Sequence, residues 1–261
     1  MKPLLSVALA VHNEEINIRR CLTSLYGWVD EIIIVDGKSS DATVAVARRF
    51  GKKIRIFLED NPPMFHRNKE KALQKATGKW ILQLDADELV TVSLKKDILN
   101  KIKQRDIDAY FIPRTNYFLG TALRKGGQYP DYTTRLYRNG IAHFACKSIH
   151  EQVTLKKGTK MGYISQPILH YPYASFSSYL HKWESYCALE AANLYKHNHV
   201  PSFTLGLSYF IFKPIGWFFK TYIRHRGYSD GFAGFVFSLF SALRFWVIYI
   251  QLYEKHGIAT A

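Results

Sequence analysis

Residues 79–88 run KWILQLDADE: a short apolar stretch that ends on three acids in four residues. Too short for a helix and lacking helical periodicity, it predicts a buried strand that stops where the chain meets solvent. The same grammar holds on the N-terminal side. LLSVALAV (4–11), EIIIVD (31–36) and KIRIFLE (53–59) are further strands, rich in β-branched residues. Between them lie helical stretches: EEINIRRCLTSL (14–25) with Asn13 as its expected cap, ATVAVARRF (42–50), and HRNKEKALQKATG (66–78) with Gly78 as its stop. VSLKKDILNKIKQ (92–104) is one more helix. Apolar strands alternating with helices predict a Rossmann-like, mostly parallel α/β sheet covered on both faces. In such sheets ligands bind beyond the carboxyl ends of the strands. His12, Asn13 and Glu14, then Asp36, then Asp85 and Asp87 fall at those ends.

From 108 to about 172 the pattern changes to short strands and loops, expected to finish the sheet and wall an acceptor site. The predicted catalytic domain is therefore 1–172, with a donor half of about 1–107 and an acceptor half of about 108–172. Residues 173–261 form a helical C-terminal region. It opens with SFSSYLHKWESYCALEAANLYKHN (175–198) and continues as two apolar stretches, 202–223 and 232–253.

Composition narrows the function. The net charge is +15, and residues 101–200 alone carry 14 basic against 6 acidic side chains. Such a field attracts nucleic acid, an anionic membrane or an acidic substrate. No helix-turn-helix, zinc finger or RNA-binding aromatic signature is present, so nucleic acid is not an expected partner. Three cysteines, with no CxxC pair, argue against a disulfide framework and fit a reducing, cytoplasmic setting. The N-terminal apolar run alternates like a strand, and Glu14 and Glu15 stand where a cleavage site would lie.

Asp85-Ala-Asp87 is the central chemical signal. Alternation along an extended chain would point both carboxylates the same way. Paired hard oxygen ligands suit Mg²⁺ or Mn²⁺, which also coordinate phosphate oxygens. Glu88 adds a third acid, and clustered acids repel unless cations or donors are present. Asp36, followed by Gly37, is either a turn residue or an acceptor for the base or ribose of a nucleotide. Arg135 and Arg138 alternate on TRLYR and are either phosphate ligands or exposed strand cations. Two carboxylates are candidate bases, Glu151 in SIHEQ and Asp131 in YPDY, with Glu151 preferred. The His150–Glu151 pair is no zinc motif, since HExxH is absent.

The run AVHNEE (10–15), then VDGKSSD (35–41), then LDADE (84–88) resembles the inverting family 2 glycosyltransferases of the GT-A fold. GGQYPDYTTRLYRNG, KSIHEQV and ILHYPYASFSSYLHKW further resemble bacterial enzymes that extend the lipopolysaccharide core, including β-1,4-glucosyltransferases. The resemblance implies a nucleotide-diphospho-sugar donor, a UDP-sugar for preference, and a lipid-linked glycan acceptor. It implies that Asp36 contacts the nucleoside and Glu14 lies near the base, within a donor pocket that includes Ala10 and His12. Asp85 would face ribose and metal, Asp87 would ligate the metal, and Arg67, Asn68 and Arg135 would contact the donor. Relatives often carry Ser or Asn where this chain has Lys38, which is expected to be a surface change. Alternatives are a sugar nucleotidyltransferase, which lacks its glycine-rich phosphate loop here, and a catalytically silent membrane-bound scaffold, which would have lost an acid. GxGxxG is absent, so a dinucleotide fold of that type is excluded.

The tail carries Lys213, Pro214 and Lys220 in one apolar stretch and Arg244 in the other. Central charge disfavours crossing a bilayer, while Trp217, Trp246 and bordering cations suit an interface. The expectation is peripheral attachment to an anionic membrane, at the cytoplasmic face of a bacterial inner membrane. A helical hairpin packed on the domain or across a dimer is the alternative.

Overall fold

The computed structural model describes residues 3–146 and 152–259. The elements, in chain order, are β1 (Leu5–Val11), α1 (Glu15–Leu25), β2 (Glu31–Asp36), α2 (Thr43–Arg48), β3 (Ile54–Leu58), α3 (His66–Lys75), β4 (Trp80–Leu84), β5 (Glu88–Val90) and α4 (Val92–Lys101). There follow β6 (Ala109–Phe118), β7 (Thr121–Leu123), β8 (Asp131–Arg138), β9 (Ala142–His143), β10 (Thr154–Leu155), β11 (Met161–Tyr163) and β12 (Ile168–His170). The chain divides into two compact units. The first is 1–114 with 131–170, and the second is 115–130 with 171–261.

In the first unit β3, β2, β1 and β4 lie side by side and parallel. All six residues of β2 are buried, because the strand has neighbours on both edges and helices over both faces. Alternation divides its side chains between two cores. Ile32 and Ile34 join Val7, Leu9, Leu82 and Leu84 under α1 and α4, through Ile18, Leu22, Leu94 and Ile98. Ile33 and Val35 join Ala8 and Ile81 on the face covered by α3, through Ala72 and Leu73. Each large apolar side chain so buried contributes about 1.5–3 kcal/mol. Beyond β4 the sheet changes sense: β8 runs antiparallel to β4, with Leu82 opposite Leu136, and β6 antiparallel to β8. β12 pairs antiparallel with β5, setting His170 opposite Glu88.

The non-site end of β1 and β2 is held by Glu31, only 6% exposed. It accepts from Ser6 Oγ at 2.6 Å, from Thr77 N and Oγ at 2.9 and 3.0 Å, and from Arg55 at 2.7 Å. Burial opposes the charge, but these donors outweigh it and lower the carboxyl's pKa.

Two expected helix ends differ. Asn13 does not cap α1. It takes a left-handed backbone, φ +55°, and its Oδ1 accepts the Ser40 amide across the loop at 2.8 Å. Gly78 is not a helix stop either, since α3 ends at Lys75 with Ala76 already extended. A Cβ on Gly78 would lie 2.7 Å from the Ser6 backbone nitrogen, so the glycine serves close packing against β1.

The second unit holds β7, α5 (Phe176–Lys196), α6 (Phe203–Leu207), α7 (Lys213–Phe218) and α8 (Gly231–Ala259). Two π-helical turns, Ser208–Phe212 and Phe219–Arg224, flank α7, so 203–224 is one continuous helical run. Phe118, Leu123 and Tyr179 pack with Ala233 and Val236 of α8 in one cluster. Cys187 and Ala191 of α5 pack with Tyr209, Phe245 and Ile248 in another.

Candidate active site

The carboxyl ends of β1, β2 and β4 converge, and two loops stitch the first pair together. His12 Nδ1 lies 2.8 Å from the Gly37 carbonyl, and the Gly37 amide donates to the Val11 carbonyl at 2.8 Å. Ser39 Oγ accepts from the Asn13 amide at 2.9 Å. Asp36 is 1% exposed, and its carboxylate accepts from the Ser39 amide and hydroxyl at 2.9 and 2.5 Å. Asp36 thus caps its own turn, with Lys38 at its tip in the left-handed region, φ +54°. Lys38 is exposed and paired with Asp60 at 2.6 Å, as a surface residue would be. Beneath Gly37 lies Asn68, whose Nδ2 donates to the Asp60 carbonyl at 2.8 Å. A Cβ on Gly37 would meet Asn61 at 3.2 Å and Asn68 at 3.3 Å. Asn68 Oδ1 is buried without a hydrogen-bond partner among the described residues. Arg67 is exposed, Ala10 is half-buried on β1, and the Glu14 carboxylate accepts from Asn17 at 2.8 Å.

The acids after β4 are not in extended chain. The Glu88 amide donates to the Asp85 carbonyl at 3.0 Å, closing a turn over Asp85–Glu88. The expected common direction of Asp85 and Asp87 is therefore lost. Asp85 faces cations on both oxygens: Lys69 Nζ at 2.5 Å and Arg135 Nη2 at 2.9 Å. Burial opposes its charge, and Lys69 and Arg135 outweigh burial, holding the carboxyl well below the usual range. Arg135 is not an exposed strand cation. It is 5% exposed, and the same nitrogen donates to Glu88 Oε1 at 2.6 Å. Burial works against its charge, while Glu88 and Asp85 keep it protonated beyond the ordinary guanidinium range. Arg138 pairs instead with Asp108 at 3.0 Å.

Glu88 is fully buried and reaches a second guanidinium, Arg114, at 3.5 Å. Arg114 in turn grips Asp131 Oδ2 through Nε at 2.9 Å and Nη2 at 2.7 Å. The network runs Lys69–Asp85–Arg135–Glu88–Arg114–Asp131, three cations against three carboxylates. Asp87 stands outside it. Asp87 Oδ1 is buried with no hydrogen-bond partner among the described residues. Asp87 Oδ2 lies 3.5 Å from His170 Nε2. No group of three or more His, Cys, Asp and Glu with metal-site geometry occurs among the described residues. An Asp–His pair with an oxygen buried and unmatched fits an ion that takes its remaining ligands from diphosphate and water. Asp85, taken up by cations on both oxygens, fits that role less well.

The structure thus gathers Asp85, Arg135 and Asp131 in one charge network with Asp87 beside it, and Ala10, His12 and Asp36 at the neighbouring strand ends with Asn68 of α3 next to them. Glu151 lies outside the described residues. Sequence reasoning missed His170, Lys69 and Arg114. His170 closes an apolar pair in ILHYPY, and only the β12–β5 register shows that it lands beside the acids.

Against known proteins, the profile described as "Glycosyl transferase family 2" matches residues 6–161. The chain belongs to glycosyltransferase family 2. A glycosyltransferase of Rickettsia felis is 28% identical over 253 residues, covering 91% of this chain and 85% of that one. The lipopolysaccharide core biosynthesis glycosyltransferase LpsC of Rhizobium meliloti is 24% identical over 259 residues, covering 97% and 93%. In fold, the family member resembles S. aureus TarS 1–349 in complex with UDP, with TM-score 0.52, 14% identity and coverage of 98% and 92%. Its complex with UDP-GlcNAc gives TM-score 0.51 at 16% identity. The family's GT-A-type α/β architecture and transferase activity therefore apply to this chain.

Proposed function

We propose that this glycosyltransferase moves a sugar from a UDP-sugar, with inversion, to a hydroxyl of a lipopolysaccharide-core-like, lipid-linked acceptor at the cytoplasmic face of a bacterial inner membrane. One observation carries the reading. At the carboxyl end of β4 a buried ion network is balanced, and one carboxylate, Asp87, is left over beside His170. The donor class is supported by the UDP complexes of a protein with this fold, and the acceptor class by the resemblance to LpsC.

Asp87 and His170 would hold Mg²⁺ or Mn²⁺, which when bound supplies positive charge to the departing diphosphate. The remaining steps belong to the chain. Asp36 and Gly37, backed by Asn61 and Asn68, offer an acceptor and an open backbone to the nucleoside, with Ala10, His12, Glu14 and Arg67 around it. Lys69 and Arg135 fix Asp85 in its ionised form at the ribose end. The acceptor hydroxyl oxygen bonds to the anomeric carbon as the bond to the diphosphate oxygen breaks, and that electron pair leaves with UDP. The hydroxyl proton passes to a carboxylate. Glu151 is the preferred base. Asp131 would have to share its Arg114 pairing to accept the proton.

A donor panel of UDP-, GDP- and dTDP-sugars, assayed for hydrolysis and transfer with Mn²⁺ and with EDTA, tests the reading. Turnover confined to UDP-sugars and abolished by EDTA is expected. Full turnover in EDTA would remove the metal, and turnover only of another nucleotide would replace the donor.

A further inference from the structure

The helical run 203–224 carries an apolar residue every fourth position: Phe203, Leu207, Ile211, Ile215, Phe219 and Ile223. All six are exposed, from 38% to 85%. On an ideal α-helix a four-residue step overshoots one turn by about 40°, so five steps would wind the row about 200° around the helix. A π-helical turn takes in one extra residue and returns about 100°. Two such turns, Ser208–Phe212 and Phe219–Arg224, lie within this run. They cancel the drift and leave a straight apolar row about 30 Å long.

A row of this size facing solvent needs an occupant. Its charges indicate which. Lys213, Lys220, Arg224, Arg226 and Arg244 make no ion pair among the described residues. Lys213 and Arg244 rest instead on aromatic faces, Lys213 Nζ 3.4 Å from the Tyr209 ring centre and the Arg244 guanidinium 4.5 Å from that of Trp217. A second copy would set the same cations against this row. A lipid surface brings phosphates.

Orientation follows from α5. The 31-residue stretch Gly227–Gly257 is long and apolar enough to cross a bilayer. But α8 packs along α5, where Tyr179, Cys187 and Ala191 meet Ala233, Val236, Phe245 and Ile248. The exposed side of α5 carries Lys182, Glu184, Glu190 and Lys196. A crossing α8 would draw those charges into hydrocarbon.

We infer that the hairpin of 203–224 and α8 lies in the plane of an anionic phospholipid leaflet, the 203–223 row sunk among acyl chains and the exposed, unpaired Lys220, Arg224 and Arg226 at the phosphates. This rests on the tail being the membrane-binding part of the transferase proposed above. Orientation is tested with the full chain and vesicles of phosphatidylcholine with phosphatidylglycerol. A fluorescent amino acid is placed in turn at 203, 211 and 223, with quenchers at shallow or deep acyl positions. Shallow quenching at all three positions is expected. Deep quenching at 211 with shallow quenching at the ends would mean a crossing helix and overturn it. Ile211→Glu and Ile215→Glu, at exposed positions, should leave the circular dichroism and UDP binding unchanged and weaken vesicle binding about tenfold or more. Unchanged binding in both variants, or a lipid-free dimer that both variants break, would likewise overturn it. Vesicle binding without turnover of any nucleotide sugar would defeat the transferase reading alone, and turnover without vesicle binding would defeat this inference alone.

Discussion

The end of β4 and the C-terminal helices treat charge in opposite ways. At β4 every cation in the buried network has a carboxylate within 3.5 Å, and a single acid is left over. In 203–259 no cation pairs with an acid among the described residues, and Lys213, Lys220 and Arg244 rest on Tyr209, Trp217 and Phe245. A buried charge must be neutralised by its own protein, because no solvent reaches it. A cation at a surface can wait for a partner from outside. On the readings proposed above, excess charge marks the place where each region would take something the chain does not supply: a cation at Asp87, phosphates along the helical run.

The most damaging way to test this contrast is at Asp87. Asp87→Asn keeps the shape and removes the charge, and should cut transfer by about 10³-fold or more. The melting temperature should barely change, since that carboxylate neutralises no buried cation. A large loss of stability with activity kept would show that Asp87 is structural. Glu151→Gln should lower turnover by roughly 10²–10⁴-fold with UDP affinity unchanged. Asp131→Asn should do less to turnover and more to stability, because it strips Arg114 of its closest partner. If their effects on turnover are reversed, Asp131 is the base.

Stability separates the regions next. Arg135→Met leaves three carboxylates against two cations, with Glu88 stripped of its nearest partner, and should cost about 3–5 kcal/mol by urea denaturation. Arg224→Gln in the tail should cost no more than about 0.5 kcal/mol, because that exposed charge pairs with no acid among the described residues. Equal costs would erase the contrast. The pH dependence completes it. The folded carboxyls of Asp85 and Glu31 are depressed, so their stabilisation is fully present above the unfolded pKa of about 4 and is lost as the pH falls through the folded values. The melting temperature should therefore hold from neutral pH to about 5 and drop below about 4, with Glu31→Gln flattening part of that drop.

The sheet was legible because its strands are continuous apolar runs between turn residues, as EIIIVD and WILQL show. The site was legible only to the strand ends. The carboxylates of DADE are held by Arg135, contributed by β8 fifty residues later, and no local pattern encodes that pairing. Asn13 looks like a cap from its neighbours alone, but its partner is Ser40, across the loop from β2. His170 needed the β12–β5 register. In the tail the four-residue spacing was present in the sequence, but on a plain α-helix it drifts around the axis, and it becomes a straight row only once the two π turns are known.

Residues 115–130 fold with 171–261, although 131–170 belong to the other unit. At ordinary translation rates of about 5–20 residues per second, the ribosome finishes position 130 roughly ten seconds before it reaches the end of α8. The 109–114 part of β6 can pair with β8 almost at once. Phe118 and Leu123, on the β6–β7 hairpin, can meet Tyr179 of α5 first but lack Ala233 and Val236, the rest of their cluster, until α8 has been synthesised.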